Sequence, residues 1–195
     1  AALFRIQEDR GICILEYESR HVLSISRGIG HSLTLSQGAT GKAMLAFMPT
    51  DRQTEFLERM PKSVQRAPLE AALRSARQKG YTISRGEIFV GAVAVSAPYF
   101  DHRGNVVGSV GIYGPSARVN EDKVAEFAKL IVEAGRRISH LLGFQDAAGK
   151  PGAPVRTVAG KKHTATAQMK PFQDGQAESR RASPTCECVP VFAKA

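Results

Sequence analysis

The chain has 195 residues, 43% of them apolar and 23% charged, the make-up of a globular protein long enough to bury a core. Its net charge of +9 divides into +5 over residues 1–143 and +4 beyond them, an excess that permits contact with nucleic acid without specifying it. No apolar run approaches the roughly 18–20 residues of a membrane helix, and the three cysteines lack both a disulfide framework and zinc-ligand spacing, which fits a reducing cytoplasm and no metal cofactor.

In chain order, Leu3–Ile6 and Ile12–Tyr17 are short apolar stretches around Glu8-Asp9-Arg10-Gly11 and predict a hairpin. Val22–Ser26 sets Leu23 and Ile25 against Ser24 and Ser26 and predicts a third strand. After Gly28 and Gly30, helical periodicity runs from Ala39 to Met48 and stops at Pro49, and a second helix is expected over Asp51–Met60. A third helix carries the stripe Leu69, Ala72, Leu73 and Ala76, with Gly80 as its C-cap. A short strand (Tyr81–Ser84) and two long ones (Ala92–Phe100 and Asn105–Gly114) follow, the long pair turned by Asp101–Gly104. The last helix takes Asn120 as N-cap and sets Val124, Phe127, Ala128, Ile131, Ala134, Ile138 and Leu141 on one face, with Glu133 and Arg137 spaced for an ion pair. Gly143 ends it. Strands joined by tight turns favour an antiparallel sheet packed with helices, an α+β fold. Residues 146–195 are basic and poor in large apolar side chains, and are expected to be a disordered tail on a domain spanning 1–145.

Gly38-Ala39-Thr40-Gly41-Lys42-Ala43 superficially matches a phosphate loop. The G-x-x-x-x-G-K-[ST] pattern would need glycine where Ser36 stands and a hydroxyl where Ala43 stands, so nucleotide hydrolysis is excluded. A glycine-rich turn entering a helix nevertheless offers unpaired amides and the positive end of a helix dipole, here at Ala39, Thr40 and Gly41. On the two long strands, Ala92, Ala94 and Ser96 share one face, as do Ser109, Gly111 and Tyr113. The opposite faces carry Val93, Val95 and Ala97, then Val110 and Ile112. Small faces meeting a helix N-terminus make either a small-acid pocket or a surface on which the helix lies close. There is no G-x-S-x-G, no H-E-x-x-H and no paired carboxylate, and His21, His31, His102 and His140 fall at surface positions.

Arg27-Gly28, Leu35–Ala46, Lys79-Gly80-Tyr81, Gly91–Pro98, Phe100-Asp101 to Gly104, and Gly114-Pro115 with Arg118 together resemble the effector-binding domain of IclR-type transcription regulators. The likeness covers about 3–143, in order and spacing. It implies a GAF-like antiparallel sheet flanked by helices, a small organic acid as effector, and assembly as a homodimer or tetramer. It also implies DNA contact only through a winged helix-turn-helix domain upstream. The chain has no initiator Met and starts at about the first strand of the sensor, so that domain is expected to be missing from this chain. By resemblance, the effector carboxylate maps to the amides of Ala39, Thr40 and Gly41. Further contacts map to Ser84, Ala92, Ala94, Gly111 and Tyr113, with Leu33 as an apolar wall. The family usually has an acid where Ser84 stands, often a cysteine at Ala94, and often serines at 111 and 113. Ala94 and Gly111 are therefore expected to enlarge the pocket and Tyr113 to add a flat surface, favouring a larger, aromatic acid.

Two other readings are open to the sequence. One is a standalone GAF-like ligand-binding module without DNA binding. The other is a hydrolase using Thr40 or Ser84 as nucleophile, which is disfavoured because neither has a base placed beside it.

Overall fold

The computed structural model describes residues 1–19, 21, 24–61 and 65–145. The tail expected over 146–195 lies outside them. Six antiparallel strands form one sheet: β1 (Ala2–Gln7), β2 (Arg10–Glu16), β3 (Ser32–Thr34), β4 (Thr82–Arg85), β5 (Ala92–Phe100) and β6 (Val106–Pro115), in the order β3-β2-β1-β6-β5-β4. Four helices complete the α+β fold: α1 (Gly38–Ala46), α2 (Thr50–Arg59), α3 (Arg66–Lys79) and α4 (Glu121–Leu141).

The sheet separates two cores. The valine-bearing face of β5 (Val93, Val95, Ala97) packs against Val124, Ala128 and Ile131 of α4. The other side holds a larger cluster around Phe4, Leu35, Met44, Leu45, Leu69 and Leu73, which joins α1, α2 and α3 to β1. Every residue of α1 is buried, including Lys42, the one charged side chain in an otherwise apolar and small run. It lies between the sheet and α3, which presents Leu69, Leu73 and Ala76 as foreseen and is closed by Gly80.

Three expectations need correction. The strand expected over Val22–Ser26 does not form at Ser24–Ser26, and Val22 and Leu23 lie outside the described residues. The edge strand is instead Ser32–Thr34, registered on β2 by the pair Gly11↔Leu33. Residues 26–28 are held by a side chain rather than by a neighbouring strand: the Glu16 carboxylate accepts from the Ser26 hydroxyl and from the amides of Arg27 and Gly28. On α4 the buried stripe is Val124, Ala128, Ile131, Gly135 and Ser139, whereas Leu141 is 87% exposed. Gly135 lets α4 lie against β5, since a Cβ there would meet the Pro98 carbonyl oxygen at 2.5 Å. The ion pair made by Glu133 is with Arg136, three residues on, and not with Arg137.

Candidate small-molecule site

The first turn of α1 is fastened to the sheet by hydroxyl groups. Thr82 Oγ1 donates to the Ala39 carbonyl (2.6 Å), Ser109 Oγ donates to the Thr40 carbonyl (3.2 Å), and Thr40 Oγ1 and Ser96 Oγ are 3.2 Å apart. Ser96 and Ser109 are fully buried. β5 and β6 pair Ala94 with Tyr113 and Ser96 with Gly111, so the two small faces do lie on one side of the sheet. At the helix end of that side, the small residues allow close packing. An added Cβ at Gly111 would collide with Ser96 Oγ, so Gly111 leaves room for a hydroxyl that grips α1 and does not enlarge a pocket. Gly41 allows the same closeness on the other flank, where a Cβ would sit 2.6 Å from the Thr34 carbonyl oxygen. Leu33 packs beside Gly11 in the core.

The hollow lies at the other end of the same face. Ser84, Ala92, Ala94 and Tyr113 line it, together with Ile25, Arg27 and the loop Gly86–Phe89. Of the residues singled out from the sequence, four therefore meet here, while Leu33, Ala39, Thr40, Gly41 and Gly111 are not among its walls. As it stands, the cavity has a volume of about 10 Å³, close to the space one water needs.

Arg27 supplies the charge. Its guanidinium carbon lies 4.7 Å from the centre of the Phe89 ring and 5.7 Å from that of Tyr113, a cation–π arrangement on two rings. Its Nη1 is enclosed from solvent and has no hydrogen-bond partner among the described residues. A buried donor of this kind is costly to leave unmade, and more so when charged. Burial lowers the guanidinium pKa, opposed by Tyr113 and Glu16, yet an arginine keeps its proton at any physiological pH.

Glu16 shapes the same wall from β2. Its carboxylate takes the Tyr113 hydroxyl proton in a hydrogen bond, together with the Arg27 and Gly28 amides at 2.8 and 2.6 Å. Burial is the largest single influence on its pKa and raises it. The hydrogen bonds from Tyr113, Arg27, Gly28 and Ser26 together outweigh burial and bring the pKa down to about 2. Burial first, and then the bond to Glu16, push the Tyr113 phenol up. The Tyr113 ring is thus held flat as a wall, with its hydroxyl already engaged.

The N-terminus of α1 is also occupied. Gln37 stands at the N-cap without a side-chain bond, and the first turn holds no acidic residue. Glu87 serves instead, accepting from the Gly38 amide at 3.1 Å and pairing with Lys42 Nζ at 2.5 Å. Sequence reading passed over Glu16, Glu87 and Phe89, and noted Arg27 only within the Arg27-Gly28 pair. A second cleft of about 150 Å³ runs between α3 and β4, lined by Lys42, Ser75, Lys79 and Tyr81 among others.

Comparison with known proteins places this geometry in context. The family model "Bacterial transcriptional regulator IclR C-terminal" matches residues 1–140. The chain is 28% identical over 144 residues to the HTH-type transcriptional repressor AllR of Escherichia coli, covering 70% of this chain and 53% of that protein. It is 25% identical over 143 residues to the transcriptional repressor IclR of the same organism, covering 70% and 52%. The chain therefore spans about half the length of the curated relatives it matches. Among solved structures it is similar to the IclR protein of Thermotoga maritima (TM-score 0.67, 27% identity, 73% of this chain and 61% of that one). It is also similar to the C-terminal domain of a transcriptional regulator from Vibrio cholerae (TM-score 0.61, 27% identity, 69% and 82%).

Proposed function

The chain belongs to the bacterial IclR C-terminal family, and from that membership we propose that it is a sensing domain that binds a small organic acid and governs DNA binding by a winged helix-turn-helix segment. The observation that carries this reading is Arg27: a guanidinium nitrogen, Nη1, buried without a partner among the described residues, beside a hollow bounded by two aromatic rings. An oxygen of a bound acid satisfies that nitrogen through a charge-assisted hydrogen bond. A planar group attached to it finds Phe89 and Tyr113, and Ala92 and Ala94 leave room beside them. An aromatic acid meets both demands, whereas a short keto or hydroxy acid uses only the first.

No catalytic role is assigned to Thr40 or Ser84. The Thr40 hydroxyl is buried against Ser96, and its part in fastening α1 accounts for it. Family membership supports a homodimer or tetramer as the working form, which sedimentation at micromolar concentration checks. The DNA-binding reading is tested in a protein carrying the winged helix, by mobility shift on its operator with and without aromatic acids. An acid-dependent change in the bound fraction is expected. An unchanged fraction with every acid, alongside measured binding of an acid to this domain, would favour the standalone ligand-binding module.

A further inference from the structure

Glu87 stands where an acid would bind. The amide of Gly38 and the ammonium of Lys42 are a ready carboxylate cradle, and both are taken up by a carboxylate carried 49 residues along the chain. The two partners differ in their freedom. The Lys42 side chain is only 10% exposed, whereas that of Glu87 is 36% exposed. Glu87 can thus leave for water at small cost, but Lys42 cannot be left buried without a counter-charge.

The loop that carries Glu87 is bounded by two glycines. Its ends are Gly86 and Gly91, with φ of 68° and 76°, in the left-handed region, and open space lies where a Cβ would be. Glycine at these two places serves the backbone and not packing. The loop's ends are tied by the Gly86 amide on the Ala92 carbonyl (2.8 Å), the Ala92 amide on the Phe89 carbonyl (3.0 Å) and the Ser116 amide on the Gly91 carbonyl (2.7 Å), so motion falls to the residues between them. Val90 at the tip is 99% exposed. On the inner side Ile88 closes over Gly38, and Phe89 lies on Arg27. With the loop in this position the cavity of about 10 Å³ admits no organic acid.

We infer that Glu87 is a built-in competitor and that residues 86–91 form a plug over the unliganded pocket. This rests on the acid-sensing reading above. The ligand's carboxylate takes over the Gly38 amide and Lys42 as Glu87 swings out, so that one ion pair is exchanged for another. Lys42 keeps a partner throughout, and the space under Ile88 and Phe89 opens.

Benzoate, its neutral counterpart benzamide, and acetate serve as probes on the 195-residue chain. The Glu87→Gln variant keeps the loop's size and removes the competing charge. Because Lys42 is then left without its counter-charge, a lower melting temperature is expected, and affinities are compared at a temperature where both proteins are folded. If the pocket is open about a tenth of the time in the wild type, benzoate binds E87Q about tenfold more tightly, and in both proteins it binds more tightly than benzamide, which lacks the charge that Lys42 requires. Hydrogen exchange gives a second readout that depends on position. Benzoate is expected to increase exchange at the amides of residues 87–90 and to leave the Gly38 amide protected, the signature of one carboxylate replacing another. Equal benzoate affinity in wild type and E87Q, or weaker binding in E87Q, would overturn the plug while leaving the acid sensor standing. Binding of benzoate and benzamide with equal affinity, or of no probe to either protein, would overturn the acid sensor and the plug with it.

Discussion

Arg27 lines the hollow and Glu16 holds its backbone amide and the Tyr113 hydroxyl, and the two are in opposite electrostatic states: one donor nitrogen is unmet, and one carboxylate is saturated with donors. Replacing Arg27 by Met keeps the apolar stem and removes the charge. Loss of acid binding by at least about tenfold is expected, since a charge-assisted hydrogen bond contributes about 1.5–3 kcal/mol. Calorimetry on the variant checks it, and undiminished affinity would remove Arg27 from the site. Glu16 makes a different prediction. Its pKa is depressed from 4.5 to about 2 in the folded chain, so its contribution to stability is complete above about 4.5 and is lost as pH falls toward 2. The Glu16→Gln variant should therefore differ from wild type most at neutral pH and converge on it at pH 2, as read from melting temperatures across that range. These two residues were hard to see in the sequence for different reasons. Arg27 was visible as half of a two-residue motif, but nothing local showed its side chain running under Phe89 from another loop. Glu16 looked like the polar end of a strand, because its partners at 26–28 and 113 come together only in the fold.

At the scale of elements, the pattern of apolar residues predicted the hairpins, α3, α4 and the long pair β5–β6 close to their observed limits. Alternation over nine or ten residues, or a stripe through several helical turns, leaves little choice of structure. It misled at Ser24–Ser26, where an alternation of four residues was too short to outweigh a carboxylate that captured the neighbouring amides. The small-faced strands were legible as small, but not in their use. Half of that face lines the hollow and half grips α1, a division set by the register Ser96↔Gly111 and the placement of Thr40. The gripping half predicts a stability cost without a ligand. Gly41→Ala puts a Cβ 2.6 Å from the Thr34 carbonyl oxygen and 2.9 Å from that of Leu35, both backbone atoms that cannot swing aside. A loss of about 1–3 kcal/mol is expected from such overpacking, measured by urea unfolding. At the far end of the fold, Asn120 accepts from the Lys123 amide at 3.0 Å as foreseen. Its replacement by Ala should cost about 1 kcal/mol, with acid binding unchanged.

Across the described domain, the sheet separates an α4 side, packed with valine and isoleucine, from an α1 side where anion-binding groups and hydroxyls are concentrated. Among the described residues no helix is long and apolar enough to cross a membrane. The central claim is that the hollow under residues 86–91 receives an organic acid through its negative charge. The most direct measurement is a calorimetric titration of the 195-residue chain with a series of aromatic and short-chain acids, each paired with its neutral amide. The account predicts saturable binding of at least one aromatic acid, with its amide inert, and a matching stabilisation of about 2.7 kcal/mol at one hundred times its dissociation constant. Binding that ignores the charge, or binding confined to acetate-sized acids with aromatic ones excluded, would contradict it.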